Sequence, residues 1–527
     1  MCALAYIAAF LVVASVLRTS FGFPLDDSWI HEVVARNLAQ THVLGFTPGK
    51  LSSGSTSLLW TLILAVRPAL FATLSPVLYS LMISVVLLGS IGYGLKYITE
   101  RDGLTGAAAW CLALGPAASG NFLWFGLIGM EHLLFITFSL LIVILWFDEG
   151  AQRHLLLLPC ACFLLALTRP EGIVLLGLLW LTRASARRSA GQWLGAAGGA
   201  ALGACVSAAV NWTISRRLTP LTMQGRGGLV WSSEWLTYRL QFLGHTAARL
   251  LIVWNIYAAE ELLHKRGLLL GVPLLIGIGV LLVFAVRRLQ RVQARRYLVL
   301  CAWAAVLEVL YFLVLPSTGH GGRYISFVVM MFLPLLFFGL HEALARMPQS
   351  NLLAWREVGV VAIATAVLSL IAWRGAARAD ITQINTEHAA MAAWIQQNLP
   401  AEAVTDSQIA VFDIGRIGYA LDGRLVDLGG LVDPKFRPYM VQGRTPQYLQ
   451  QRGVQYVVLP TGPEASDAGY AISLGLDPQH GASLSPLHTI CADAEVARKA
   501  FTSSETAAPC QRAYTIRYLH PGQTPGL

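Results

Sequence analysis

Two adjacent carboxylates, Asp26 and Asp27, follow the first apolar stretch of the chain, in the segment FPLDDSWIHEVVARNLAQTH. The apolar residues that come next recur at helical spacing, so we expect both acids to open a helix. A single acid there would be an ordinary helix cap, stabilised by the helix dipole. An adjacent pair can also act as a general base towards a hydroxyl group, or hold a divalent cation.

Four further motifs place ionisable groups beside apolar runs, namely GMEH, LTRPEG, TPLTMQGRGG and HGGRY. The guanidinium fork suits phosphate oxygens, and a Gly-rich approach lets a backbone come close to a ligand. The candidate phosphate ligands are Arg169, Arg226, His320 and Arg323. The candidate pocket residues are Glu131, Glu171, Tyr324, Trp29 and Trp60. The simpler alternatives are a structural ion pair within LTRPEG, and anchoring of Arg and Tyr side chains at lipid headgroups.

The composition is that of a membrane protein. Of 527 residues, 55% are hydrophobic and only 13% are charged, whereas a soluble globular chain carries about 25% charged residues. This excludes an ordinary cytosolic enzyme. It also excludes a nucleic-acid-binding protein, despite the formal net charge of +9, so we expect no nucleic-acid partner.

Eleven apolar runs are long enough to be counted as membrane spans. They are residues 3–20, 76–95, 104–120, 131–147, 154–168, 171–183, 191–212, 267–286, 297–315, 324–343 and 357–373. Basic clusters follow the second, fourth, sixth, eighth and tenth runs, which by the positive-inside rule places the N-terminus in the cytoplasm. Residues 57–74 and 235–262 are interpreted as interfacial segments that do not cross.

The chain changes character at Ala376. Residues 1–375 form the predicted transmembrane domain, and residues 376–527 form a predicted extracytoplasmic α/β domain with a helix and short strands separated by Gly and Asp turns. Cys491 and Cys510 are the two cysteines of this polar tail, and an extracytoplasmic location would allow them to pair. The ionisable residues beside the spans gather at their outer ends, which predicts a site on the extracytoplasmic face.

The motifs LDDSWIHEVVARNLAQTHVLGFTPG, SGSTSLLWT, GMEH, LTRPEG, TPLT and HGGRY, in this order, resemble those of GT-C glycosyltransferases. The nearest resemblance is to the branch of bacterial terminal arabinofuranosyltransferases. It implies a multispan enzyme of the bacterial inner membrane that transfers a sugar from a polyprenyl-phosphate donor to a cell-envelope glycan or lipid acceptor, with inversion.

The resemblance also implies roles for individual residues. Asp26 maps to the catalytic base, and Asp27 would support it or bind a cation such as Mg²⁺, Mn²⁺ or Ca²⁺. The donor phosphate would be held by Arg169, His320 and Arg323, with Arg226 in the TPLT loop, while Trp29 and Trp60 are candidate sugar-stacking surfaces.

Two other functional classes stay open. A transporter of lipid-linked sugars would show internal repeats and a charged path near the bilayer midplane, whereas the charges here gather on one face. A non-catalytic membrane protein whose outer domain binds glycan would not explain the paired acids.

Overall fold

The computed structural model describes residues 2–52, 54–148, 156–219, 235–251, 276–291, 294–315, 317–346, 370, 373–462, 469–499 and 509–519. The α-helices up to residue 346 are α1 (Cys2–Thr19), α2 (Asp26–Thr41), α3 (Leu58–Leu70), α4 (Pro76–Arg101), α5 (Ala107–Ala118), α6 (Gly120–Leu127), α7 (His132–Phe147), α8 (Leu157–Thr168), α9 (Leu175–Leu181), α10 (Ala190–Ser215), α11 (Trp235–Leu251), α12 (Arg295–Val314) and α13 (Ser326–Leu344). Residues 276–291 are also helical. Two 3₁₀ helices, Pro170–Val174 and His320–Ile325, precede α9 and α13.

The number of full membrane spans differs from the prediction of eleven. Within the described residues, four helices are long and apolar enough to cross a membrane, or five if the bent pair α6 and α7 counts as one span. The pair is bent by 111°, and a 12-residue helix such as α8 reaches only about 18 Å, short of the roughly 30 Å hydrocarbon core. Residues 267–275 and 357–369, parts of two predicted spans, lie outside the described residues.

The helix ends that carry the predicted basic clusters contact one another. The carboxylate of Glu342 at the end of α13 pairs with Arg291 at 2.8 Å and with Arg346 at 2.8 Å. Asp102, which follows α4, pairs with Arg296 at 3.3 Å. Arg188 donates to the carbonyl oxygen of Asp148 at 2.6 Å. The ends of these helices are therefore held together by arginine contacts at one end of the bundle.

The chain divides into two compact units. One contains residues 1–16, 80–207 and 226–375, and the other contains residues 17–79, 208–225 and 376–527. One border between the units falls after Gly375. The segment 17–79 groups with residues 376–527.

The C-terminal domain contains a five-stranded mixed sheet. Its strands are β1 (Ile409–Val411), β2 (Val426–Asp427), β3 (Tyr456–Thr461), β4 (Ala482–Cys491) and β5 (Cys510–Tyr518), in the order β2-β1-β3-β5-β4. β1 pairs in parallel with β2 and β3, whereas β5 pairs antiparallel with β3 and β4. The helices are Ala390–Asn398, preceded by a π-helical turn at Asn385–Ala389, then Ala401–Thr405, Ile414–Ala420, Phe436–Val441, Thr445–Gln451, Gly469–Ser473 and Ala494–Lys499, with a 3₁₀ turn at Pro478–His480.

Helix α2 completes the core of this domain. Its residues Ile30, Val33 and Val34 are buried and belong to one apolar cluster with Ile409 of β1 and Val458 of β3. The spacing of i, i+3 and i+4 puts the three α2 side chains on one face. Full burial of a Val or Ile side chain stabilises by about 1.5–3 kcal/mol, so α2 is a structural part of the α/β domain.

Cys491 and Cys510 are joined by a disulfide, at the last pair of the β4–β5 ladder. The cross-link closes a loop with a sequence separation of 19, which the chain-entropy model values at about 3 kcal/mol. We predict that alkylation of the SDS-denatured chain without reductant leaves both cysteines unmodified, while the free Cys160 and Cys205 react. Labelling is read by mass spectrometry, and reaction of both Cys491 and Cys510 would refute the bond.

Candidate functional site

Asp26 and Asp27 open helix α2, as the sequence predicts, and both side chains are half-buried. The Asp26 carboxylate is bound by the C-terminal domain. Its Oδ1 accepts from the backbone N–H of Arg416 at 2.7 Å and from Nδ1 of His388 at 3.0 Å, and its Oδ2 accepts from the backbone N–H of Gly415 at 2.7 Å.

This arrangement leaves Asp26 a limited capacity to accept a proton. A carboxylate offers two lone pairs on each oxygen, and Oδ1 already accepts two hydrogen bonds. On Oδ2, one lone pair accepts from Gly415, which leaves one for a substrate hydroxyl. If Asp26 acts as a base, the proton must therefore arrive at Oδ2.

Behind Asp26 lies a buried group of acids around one imidazole. Nε2 of His388 is 3.8 Å from Oε1 of Glu387. The side-chain amide of Gln511 donates to Glu387 at 3.2 Å and to Asp413 at 2.7 Å. The sequence gives no local signal for this group, because its members come from four separated segments.

The electrostatics of this group keep the imidazole charged. Burial lowers the pKa of His388, but the neighbouring Asp26, Glu387 and Asp413 outweigh burial and raise it to about 10. Burial raises the pKa of Glu387 and of Asp413. His388 is therefore protonated at neutral pH, so both ring nitrogens carry a hydrogen; Nδ1 donates to Asp26.

The two predicted stacking surfaces, Trp29 and Trp60, are both buried, with 5% and 0% exposure. The Trp29 ring lies against Tyr419 at 4.8 Å between centroids, and the Arg416 guanidinium sits 4.7 Å from its centroid. Neither indole ring has an exposed face on which a sugar could stack, because protein atoms cover both rings.

In the other compact unit, Arg169 lies at the centre of a polar cluster. Its Nε donates to Oε1 of Glu171 at 2.7 Å, and its Nη1 is 3.7 Å from Oε1 of Glu131. Tyr311 of α12 donates to the same Oε1 of Glu171 at 2.6 Å. The guanidinium carbon is 5.9 Å from the centroid of Tyr324. The motifs GMEH, LTRPEG and HGGRY therefore meet at Arg169. Tyr311 belongs to none of these motifs, so the sequence did not point to it.

The HGGRY turn owes its path to its glycines. Gly321 has a φ of +66°, a backbone conformation that favours glycine. A Cβ at this position would also lie 2.1 Å from the Trp124 ring, so no other residue fits. Arg323 is buried, donating to the Tyr324 hydroxyl at 3.2 Å and approaching Sδ of Met130 at 3.6 Å.

Two predicted phosphate ligands are not described with side chains. Arg226 lies outside the described residues, and for His320 only its backbone, in the 3₁₀ turn, is described. Among the residues that are described, no group of three or more His, Cys, Asp or Glu side chains could hold a metal ion.

A further arginine, Arg239, has the properties of an anion ligand. It lies on α11, is 2% exposed, and its three guanidinium nitrogens have no hydrogen-bond partner among the described residues. Two aromatic rings face it, with Phe312 at 5.5 Å and Trp235 at 5.8 Å from its guanidinium carbon. A buried charge without hydrogen bonds is costly, and an anion would satisfy it. In the sequence Arg239 is an arginine within an apolar segment, and an interfacial helix explains that pattern as well as an anion site does.

Comparison with known proteins identifies the fold. Residues 378–508 match a domain of unknown function (DUF8728). The structure is similar to ArnT from Cupriavidus metallidurans bound to undecaprenyl phosphate, with a TM-score of 0.54, 14% identity and 97% of each chain covered. It also resembles the oligosaccharyltransferase of Archaeoglobus fulgidus, with a TM-score of 0.49, 11% identity, and 86% of this chain and 67% of that chain covered. No curated protein matches. The similarity to ArnT shows that this chain shares the fold of that protein.

We predict that Arg169→Met destabilises the protein by about 3 kcal/mol, because it removes the positive charge that lies between two largely buried carboxylates, those of Glu131 and Glu171. The control is Asp422→Asn, which removes the ion pair of Arg36 with a side chain that is 68% exposed and should cost less than about 1 kcal/mol. Stability is measured by unfolding in SDS after reconstitution. Equal effects of the two substitutions would contradict the structural role of the Arg169 cluster.

Proposed function

We propose that this GT-C chain is an inverting glycosyltransferase of the bacterial inner membrane. It transfers a sugar from a polyprenyl-phosphate donor to a cell-envelope glycan or lipid on the extracytoplasmic face. The proposed topology has a cytoplasmic N-terminus and an extracytoplasmic C-terminal domain. The proposed donor is a polyprenyl-phosphate hexose or pentose.

The observation that carries the proposal is the pair Asp26–Asp27, which opens the helix after the first apolar helix of a GT-C fold. Asp26 is held as an acceptor by three donors and keeps one lone pair on Oδ2. A carboxylate so placed can receive a proton from a hydroxyl group. The similarity to ArnT bound to undecaprenyl phosphate supports a polyprenyl-phosphate donor.

The proposed reaction is a single displacement. The acceptor oxygen forms a bond to the anomeric carbon as the bond between that carbon and the phosphate oxygen breaks. The hydroxyl proton passes to Oδ2 of Asp26, and polyprenyl phosphate leaves with the electron pair. The proposed step involves no metal ion, and Asp27 supports the charge of its neighbour.

Arg239 is proposed as a ligand of the donor phosphate, since its guanidinium lies buried near two aromatic rings and has no hydrogen bond to the part of the chain that the structure describes. Helix α11 packs against the turn that carries His320 and Arg323. These two residues, with Arg169 and Arg226, are the phosphate ligands implied by the sequence. Because Arg169 is already paired with two glutamates, we assign it to shaping the pocket around the phosphate.

We predict that Asp26→Asn lowers kcat about 10²–10⁴-fold, the usual contribution of a general base. Donor consumption and polyprenyl-phosphate release are measured in nanodiscs with polyprenyl-phosphate arabinose, mannose, glucose and galactose, in the presence of candidate acceptors. Asp27→Asn should lower the rate less, and Asp422→Asn is the exposed-acid control. Full activity of both Asp26→Asn and Asp26→Ala would show that Asp26 is not the base.

Arg239→Ala is expected to weaken binding of undecaprenyl phosphate roughly 10- to 100-fold, the value of losing a charge-assisted hydrogen bond. Arg239→Lys should weaken it less, because the lysine keeps the charge. Gln241→Ala, at an exposed position of the same helix, is the matched control. Binding is measured with the purified protein by fluorescence quenching or calorimetry, and an unchanged affinity in Arg239→Ala would remove Arg239 from the site.

A further inference from the structure

The C-terminal domain contains a charged histidine with no place in the proposed chemistry. His388 is buried in the turn Asn385–Ala389 and donates to the carboxylate of Asp26, 362 residues earlier in the chain. Three carboxylates face it, namely Asp26 from α2, Glu387 from its own turn, and Asp413 before the helix Ile414–Ala420. The Arg416 guanidinium lies near Asp26 as well.

We propose that His388 is a positioning residue for Asp26. The C-terminal domain thereby holds the catalytic carboxylate in place and belongs to the active site. This inference rests on the proposed function. His388 and the backbone N–H groups of Gly415 and Arg416 bind Asp26 from two separate segments. Together they fix the carboxylate plane and leave a single acceptor direction on Oδ2.

The packing around Asp26 leaves no room for a methyl group at position 415. A Cβ on Gly415 would lie 2.0 Å from the backbone oxygen of Asp26 and 2.6 Å from its Oδ2. Contacts this short cannot exist, so Gly415→Ala must push Asp26 away. This variant alters neither the imidazole nor the carboxylate, which makes it an independent way to break the contact.

The charge of His388 adds a pH dependence. The imidazole stays protonated below its pKa of about 10, so its hold on Asp26 is complete at neutral pH and is lost as the pH rises through that value. The wild-type rate should therefore have an alkaline limb near pH 10. Asparagine at position 388 can still donate from its amide but does not titrate, so this limb should be absent in His388→Asn.

The test is a comparison of kinetics in full-length protein in nanodiscs. His388→Ala and Gly415→Ala should each lower kcat about 10²-fold, the usual effect of a misplacement of about 1 Å, with KM nearly unchanged. His388→Asn should recover much of this loss. The matched control is His480→Ala, which removes the exposed His480–Asp477 pair and should have no effect. Wild-type kcat in His388→Ala would overturn the inference while the proposed function stands.

A second arm does not depend on activity. The pKa of His388 is followed by NMR of protein labelled with ¹⁵N-histidine, and it should be lower in Asp26→Asn than in the wild type, because the variant removes a negative charge next to the imidazole. The ring signals of His480 should be the same in both proteins. An unchanged pKa of His388 would overturn the contact. An inactive wild type with a lowered pKa of His388 in Asp26→Asn would overturn the proposed function alone.

Discussion

The docking of the Asp26 carboxylate into the C-terminal domain is the interaction on which the proposed active site depends. It combines two backbone N–H donors with a charged imidazole, and charge-assisted hydrogen bonds of this kind are among the stronger ones in proteins. The same helix contributes Ile30, Val33 and Val34 to the apolar core of the domain. The helix of the paired acids and the α/β domain therefore fold as one body, and the acid is placed by packing as well as by charge.

The cluster around Arg169 follows a different principle. One guanidinium is shared between Glu131 and Glu171, Tyr311 donates to the second glutamate, and aromatic rings surround the charge. Such a network is stable only while every partner is present, since removing one leaves a buried charge. The cluster lies next to the HGGRY turn. The backbone of that turn requires glycine at position 321, where a Cβ would overlap the Trp124 ring.

Local patterns predicted much of this architecture. The apolar runs mark helices wherever the structure describes them, and the acids do open a helix. The short strands expected after Ala376 are present in the sheet of the C-terminal domain. Within the described residues fewer helices than predicted have the length of a full span, because apolar composition does not reveal where a helix ends or bends, as between α6 and α7.

The contacts that define the candidate site were beyond local patterns. An amphipathic helix shows that it has a buried face but not what covers it, so the packing of α2 into the α/β core could not be seen. The bond from His388 to Asp26 spans 362 residues, and a histidine in a helical turn looks like any surface residue. Arg239 was recognisable as a charge in an apolar segment, but only the structure shows that its nitrogens have no hydrogen bond within the described ranges.

The anomeric configuration of the product tests the central claim most directly. A polyprenyl-phosphate sugar labelled with ¹³C at the anomeric carbon would be incubated with the wild-type protein in nanodiscs and acceptor, and the product analysed by NMR. We expect a glycoside of inverted configuration, formed together with polyprenyl phosphate, because a single displacement with Asp26 as base inverts the anomeric carbon. A product that retains the donor configuration would contradict this mechanism and require a covalent or second displacement step.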